Sequence, residues 1–478
     1  MRLLKQKLLL VLIISITGGA AAHAQSSGNP VLDSRLNAIL DSMRGVLNVK
    51  SLGAAIVMPN DAVWADASGV ASLVPLVDAT PAHVYEVGSV AKTFTAATIL
   101  QLVDEGVLTL NDSLHEWLPS IPFVNPNITI RQVLRHQSGL YDVIASPTSP
   151  FAVATNLHYD SVFVIDSVVY DYIKTPEFTA GTSWSYCNTN YLILAMIIKA
   201  ATGKTYVEQF KERFFIPQNL PTIQIPYFDD ITSPVAHVWL DLNGDMIPNE
   251  DGHNYFFNWT ALHTAVGPSG GYYATPTDIA KWMKTFASGS LLTPSLMMQV
   301  RSTVNTNMPD GTRYGLGIME RKFMNITSYG HGGDLGYSSN VFYFPSKQIS
   351  IAVLNSDSKV NSWGLAPVVT ALLQEYMKNP ILSGVDNTLD ANVLDMSVSP
   401  NPFMSDFKVS LQIPSFTDEA QLVLTNVLGE RIATKNTSNL AAGVQQIQMD
   451  GLNEIPSGMY FLSVVLDGQM MGTMQVVK

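Results

Sequence analysis

Apolar positions along the chain change period several times. Residues 52 to 75 contain "LGAAIVM" and "AVWADASGVAS" around a turn at Pro59-Asn60-Asp61, which predicts a β-hairpin. From Ser89 onward there is no Gly or Pro until Gly106. Phe94, Ala97, Ile99, Leu100, Leu102 and Val103 recur at roughly helical spacing, which predicts a helix opening at Ser89 and stopping at Gly106. "NYLILAMIIKAAT" (190–202) and "PTDIAKWMKTFAS" (276–288) read as further helices, with loops rich in Pro, Asn and Gly between them. Residues 313 to 355 return to short β runs: "RYGLGIMER", "FMNITSYG", "SSNVFYF" and "QISIAVLN". "NSWGLAPVVTALLQEYMK" (361–378) reads as a closing helix whose start is blurred by Pro367. Strands at both ends and helices between them predict an α+β body, with a sheet assembled from distant parts of the chain. A helix-rich lobe would stand beside it across a cleft.

After "NPILSGVDNTLD" (379–390) the texture changes. "FKVSLQI", "AQLVLTNVLGERIAT", "VQQIQMD", "MYFLSVVLDG" and "MMGTMQVVK" alternate apolar and polar residues between turn signals. They predict a small all-β sandwich domain over 394–478. At the other end, Arg2, Lys5 and Lys7 precede "LLLVLIISIT" and the small-residue site Ala22-His23-Ala24. Residues 1–24 therefore read as a secretory signal peptide, with the mature chain beginning at Gln25. No later stretch has the length of apolar chain that a spanning helix needs, so no membrane span is expected in the mature protein.

Composition narrows the chemistry. The net charge of −12 argues against a nucleic-acid partner, whose phosphates require a basic face. Apolar residues make up 47% of the chain, enough for a large core. Cys187 is the one cysteine, so neither an internal disulfide nor a zinc cluster is expected.

Three short motifs stand out. Ser89 and Lys92 are three residues apart at a predicted helix start, and so share a face. Free backbone N–H groups there suit a developing oxyanion. A serine needs a base before it attacks a carbonyl, and Lys92 can serve once burial or nearby positive charge lowers its pKa. In "WSYCNTNYLIL", Tyr186 and Asn188 share one face of an extended segment and Cys187 faces away. The tyrosine can relay a proton, and the asparagine can hold Lys92 and a substrate amide. In "SYGHGGDLGYSS", His331 precedes Gly332 and Gly333, where a substrate backbone can lie close to the strand. The N–H of Asp334 can pair with that of Ser89 as an oxyanion hole.

With these residues in order, the chain resembles the serine β-lactamase and penicillin-binding family, in its class C and D-alanyl-D-alanine carboxypeptidase branch. The markers S-x-x-K, Y-x-N and K/H-x-G appear as Ser89-Val90-Ala91-Lys92, Tyr186-Cys187-Asn188 and His331-Gly332-Gly333. The flanks "ITIRQVLRHQSGL", "NTNYLILAMIIKAATGKTY" and "GGYYATPTDIAKWM" match as well, so the resemblance covers residues 35 to 378. It implies a β-lactamase/transpeptidase-like fold, an antiparallel sheet flanked by helices plus a helical lobe, over 30–381. It also implies a nucleophile at Ser89 and acid–base work shared by Lys92 and Tyr186, with either as first base. Asn188 would orient them, and His331 would help place a substrate carboxylate or its proton network. No cofactor or metal is implied. Histidine in place of the usual lysine at 331 favours peptidase and esterase relatives over efficient lactam hydrolysis.

The module after a linker at 382–393 resembles a type IX secretion sorting domain, carried by "MSVSPNPF", "LTNVLGERI", "LNEIPSGMYFLSVV" and Lys478. That implies the type IX machinery as partner and release or attachment at the cell surface. The expected function is a secreted serine hydrolase acting on D-amino-acid peptides or amides. A carboxylic ester, a β-lactam, and a surface binding protein that does not turn over follow as alternatives.

Other patterns read as structure. "GPSGG" (267–271) fits a nucleophile elbow at Ser269, but its context reads as a loop. "DLNGDMIPNED" (241–251) resembles a calcium loop, yet Met246 and Gly252 stand at the positions of the invariant glycine and glutamate, so it reads as a turn. Cys187 reads as a buried small hydrophobe, and His136 as structural.

Overall fold

The computed structural model describes residues 24–144, 150–245, 247–378, 396–413, 417–426, 431–466 and 469–478. The signal segment up to residue 23 and the linker 382–393 lie outside the described residues. The chain divides into two compact units, Met1–Ser383 and Gly384–Lys478.

In the first unit, nine strands among the described residues form one antiparallel sheet. Its order is Leu76–Asp78, Val63–Leu73, Ser51–Val57, Ile349–Asn355, Tyr337–Phe344, Ile326–Leu335, Met319–Phe323, Arg313–Tyr314 and Val304–Asn305. The predicted hairpin at 52–75 therefore pairs directly with the strand Ile349–Asn355, with Leu52 opposite Asn355 and Val57 opposite Ser350. Ser51–Val57 and Ile349–Asn355 are buried throughout because both faces are covered. Leu52, Ala54 and Ile56 point to one core, and Ala55 and Val57 to the other, as the period of two requires.

One face carries the helices Pro30–Leu47 and Ala366–Lys378, joined by the Arg35–Glu375 ion pair at 3.2 Å. The first of these was not read from the sequence. Asn29 caps it, accepting from the N–H groups of Val31 and Leu32, and Pro30 opens it. Pro367 sits in the first turn of the closing helix, where its missing N–H costs nothing. The other face packs Pro276–Ser288 and the helical lobe, whose centre is Lys92–Asp104 beside Thr189–Thr202. Phe94 stacks on Trp282 at 4.1 Å between ring centroids, which fixes the helix bearing Lys92 to the helix that lies on the sheet.

The second unit is two small sheets around a core of its own. Met396–Ser399, Phe407–Ile413 and Gly443–Met449 form one. Arg431–Leu440, Thr417–Asn426, Met459–Leu466 and Gln469–Val477 form the other. The run "AQLVLTNVLGERIAT" falls in two strands, Thr417–Asn426 and Arg431–Leu440. Lys478 ends the chain with its Nζ donating to the carbonyls of Leu452, Asn453 and Ile455, at 2.7, 2.8 and 2.7 Å.

Candidate active site

The predicted helix does not begin at Ser89. Gly88–Ala91 form a 3-10 turn, and the α-helix starts at Lys92. A 3-10 turn has three residues per turn, so residues three apart are eclipsed. Ser89 and Lys92 therefore face one another more directly than an α-helix allows. Between His83 and Leu100 every residue is buried except Ser89, which opens into a cleft of about 380 Å³.

Glycine is required at two points of this wall. Gly88 has φ +51°, and a Cβ on it would lie 2.7 Å from the Asp334 nitrogen. A Cβ on Gly333 would lie 2.1 Å from the Val87 carbonyl oxygen and 2.7 Å from the Ser89 nitrogen. The strand Ile326–Leu335 thus passes against the serine turn with no room for a side chain between them. Ser89 and Asp334, whose N–H groups are the expected oxyanion donors, line the same cleft.

Lys92 is 0% exposed. Its Nζ donates to Ser89 Oγ at 3.0 Å, Asn188 Oδ1 at 2.6 Å and the Ser269 carbonyl at 2.7 Å. Burial lowers its pKa to about 7, and the nearby Asp142 carboxylate opposes that fall. As an ammonium the group gives all three protons to these partners. As an amine it keeps two of them on Asn188 and Ser269 and turns a lone pair toward Ser89.

Tyr186 and Asn188 both line the cleft, while Cys187 is buried with Sγ 3.4 Å from the Leu140 carbonyl. The alternation expected for an extended Y-x-N segment is what the chain adopts. The Tyr186 ring lies 4.9 Å from Lys92 Nζ. Its buried hydroxyl makes no hydrogen bond of normal geometry, although Ser89 is near enough to oppose the strong rise in pKa that burial imposes. Burial also pushes the Cys187 thiol up, which leaves it unreactive.

Of the two roles expected for His331, placing a substrate carboxylate or belonging to its proton network, the first does not fit its surroundings. It is fully buried and does not line the cleft. Nδ1 pairs with the Gly332 carbonyl at 2.6 Å and Nε2 with the Tyr314 hydroxyl at 2.9 Å. A carbonyl only accepts, so Nδ1 carries the proton and Nε2 accepts from Tyr314. Burial, then the Lys92 charge, lowers the pKa to about 3, so the ring is neutral and has no nitrogen left for a substrate carboxylate. The exposed Asp334 side chain accepts from the Ser362 N–H and hydroxyl at 2.6 Å each, at the edge of the same cleft. Its backbone N–H is the group expected at the oxyanion.

Three contributors were missed by sequence reading. Asp142, in the unremarked loop after "RHQSGL", accepts from the backbone N–H and side-chain amide of Asn188 at 2.8 and 2.9 Å. Ser269, weighed only as a nucleophile, gives its carbonyl to Lys92, and its hydroxyl donates to the Val266 carbonyl. Arg321 lines the cleft, 9% exposed, with its guanidinium 4.1 Å from the Trp363 ring centroid and Nε donating to Asp310 at 2.8 Å. His136 is structural, its Nδ1 accepting from the Cys187 N–H at 3.0 Å. In the calcium-like loop, the Asp241 and Asn243 side chains accept from N–H groups within the turn itself.

This arrangement has known counterparts. The beta-lactamase family profile matches residues 43–368, and the secretion system C-terminal sorting domain profile matches residues 397–478. The chain is 25% identical over 340 residues to Penicillin-binding protein 4 of Amycolatopsis lactamdurans, covering 68% of this chain and 85% of that one. It is 31% identical over 191 residues to the D-aminopeptidase of Brucella anthropi, covering 38% of this chain and 35% of the relative. A penicillin-binding protein of Bacillus subtilis is matched over only 29% of its length. The crystal structure of D-amino acid amidase from Ochrobactrum anthropi SV3, complexed with L-phenylalanine amide, shares the fold. Its TM-score is 0.63 at 20% identity, covering 73% of this chain and 99% of that one. The chain belongs to the beta-lactamase family of serine hydrolases and carries a sorting domain that marks it for secretion, to the cell surface or the extracellular space.

Proposed function

We propose that this protein hydrolyses peptides or amides of D-amino acids through an acyl-enzyme at Ser89. The observation that carries the reading is the buried Lys92 amine, with a pKa of about 7 and Nζ 3.0 Å from Ser89 Oγ. Ser89 Oγ attacks the substrate carbonyl while its proton passes to Lys92, and the Ser89 and Asp334 N–H groups receive the oxyanion. The C–N bond then breaks, and the leaving amine takes the proton back, with Tyr186 as relay. Water cleaves the resulting ester by the reverse route. The raised pKa of Tyr186 favours Lys92 over a phenolate as first base. A D-aminopeptidase and a D-amino acid amidase among the similar proteins support the D-amino-acid substrate class.

The reading includes export by the type IX machinery through the sorting domain, after residues 1–24 have directed the chain across the inner membrane. The experiment is labelling with a fluorescent penicillin and, in parallel, a fluorophosphonate, each against Ser89→Ala. Labelling of the wild type alone is the expected result. Absence of labelling of the folded protein by both reagents removes the acyl-enzyme reading.

A further inference from the structure

Against the Tyr186-Cys187-Asn188 segment lies a residue that the fold keeps at a cost. His136 is fully buried and has φ +60°, a left-handed conformation uncommon for any residue but glycine. Its Nδ1 accepts from the Cys187 N–H at 3.0 Å, so the neutral ring carries its proton on Nε2. Nε2 has no hydrogen-bond partner among the described residues. A left-handed backbone and a buried N–H without an acceptor both lower stability, and together they call for a compensating role.

That role is a three-point hold on the tyrosine segment. The His136 carbonyl accepts from the Ser185 N–H at 3.1 Å, and the ring nitrogen holds Cys187. Between these two anchors the ring packs against that of Tyr186, with centroids 4.4 Å apart and planes inclined by 33°. The rings of Tyr314 and His331 stand farther from Tyr186, at 6.3 and 6.2 Å. The Tyr186 hydroxyl has no hydrogen bond of its own to fix it. Its place is therefore set by what the ring packs on, and His136 is the nearest ring.

We propose that His136 is a positioning residue for Tyr186, its ring forming the seat that keeps the tyrosine hydroxyl beside Ser89 for delivery of a proton to the leaving group. This rests on the relay role of Tyr186 in the acyl-enzyme reading and names what holds that relay in place. The consequence depends on the leaving group. When the C–N bond of an amide breaks, the nitrogen must gain a proton. A p-nitrophenolate leaves with the electron pair of its C–O bond and needs none, and the serine proton then passes from Lys92 to solvent.

The test is kcat/KM of the full-length protein on the p-nitroanilide and the p-nitrophenyl ester of acetyl-D-alanine. His136→Asn removes the ring, puts an amide oxygen in the place of Nδ1 and tolerates a positive φ. It should lower kcat/KM about tenfold to a hundredfold on the anilide and less than about threefold on the ester. His136→Phe keeps a ring without Nδ1 and should retain the wild-type ratio of the two substrates. Tyr186→Phe should show the same selective loss, and adding His136→Asn to it should cost nothing further on the anilide. If His136→Asn does not fold, His136→Gly takes its place, being free at a positive φ and equally ringless. Equal losses on both substrates in His136→Asn, a ratio that collapses in His136→Phe, or additive losses in the double variant overturn the inference. A wild type that cleaves neither substrate, or a Tyr186→Phe variant that spares the anilide, removes the relay reading and the inference with it. That failure is distinguishable because it shows without any change at His136.

Discussion

Asp142 holds Asn188 twice, through the backbone N–H and the side-chain amide, with one carboxylate oxygen. The amide therefore has one orientation, with Oδ1 toward Lys92. Asp142 also acts on Lys92 at a distance, its charge working against the fall in pKa that burial causes.

Asp142→Asn should have two separable effects. Removing the negative charge takes away the larger of the influences that oppose burial, so the Lys92 pKa drops further and the acid limb of kcat/KM moves below its wild-type position near pH 7. Loosening Asn188 should lower kcat by about tenfold to a hundredfold, within the range for a group that positions a general base. A pH–rate profile of the variant checks both. Lys92→Ala should abolish the limb and cost about a hundredfold to ten-thousandfold in rate.

Gly333→Ala introduces a methyl group against backbone, 2.1 Å from the Val87 oxygen. Neither strand nor turn can yield as a side chain would. The substitution should destabilise the first unit by about 1–3 kcal/mol and abolish Ser89 labelling even where the protein remains folded. Denaturant unfolding and probe labelling on the same preparation check it.

Acid should unfold this protein through its buried histidines. His331 falls from 6.5 to about 3 on folding, and His136 falls well below 6.5, each mainly by burial. The unfolded chain then binds more protons than the native one below pH 6.5, so stability is intact above that pH and is lost as pH falls toward 3. Each such histidine contributes a slope of about 1.4 kcal/mol per pH unit in that window. His331→Gln should flatten the dependence, measured by urea unfolding at several pH values between neutrality and the acid range.

Lys478 closes the sorting domain by filling a cage of three carbonyls. Its backbone also exchanges hydrogen bonds with Gly458 at 2.9 and 3.0 Å. Lys478→Ala should leave those carbonyls of Leu452, Asn453 and Ile455 without their donor and destabilise this unit by about 1–3 kcal/mol. Ser89 activity should be unchanged and surface delivery reduced. Cell fractionation beside an activity assay checks the separation.

Local pattern carried much of this protein. The alternation of 52–75, the helical period of 190–202 and 276–288, and the short β runs of 313–355 arise from which faces are buried, and burial leaves a periodic trace in the chain. The motif segments holding Ser89, Lys92, Tyr186 and Asn188 were legible for a similar reason, since each pairs its residues within one turn or one short stretch before a helix. What lies between segments left no such trace. Asp142 matters because a loop brings it to Asn188, Ser269 because its carbonyl meets a lysine 177 positions away, and Arg321 because a strand turns it into the cleft. His331 shows the converse, for its motif gave its position but not the Tyr314 hydroxyl and Gly332 carbonyl that occupy it. Sequence by itself determined most of the elements, the division into a catalytic body and a sorting domain, and the nucleophile's neighbourhood. Only the tertiary structure decided which charges line the cleft, because desolvation and hydrogen bonding act between groups that the chain order keeps far apart.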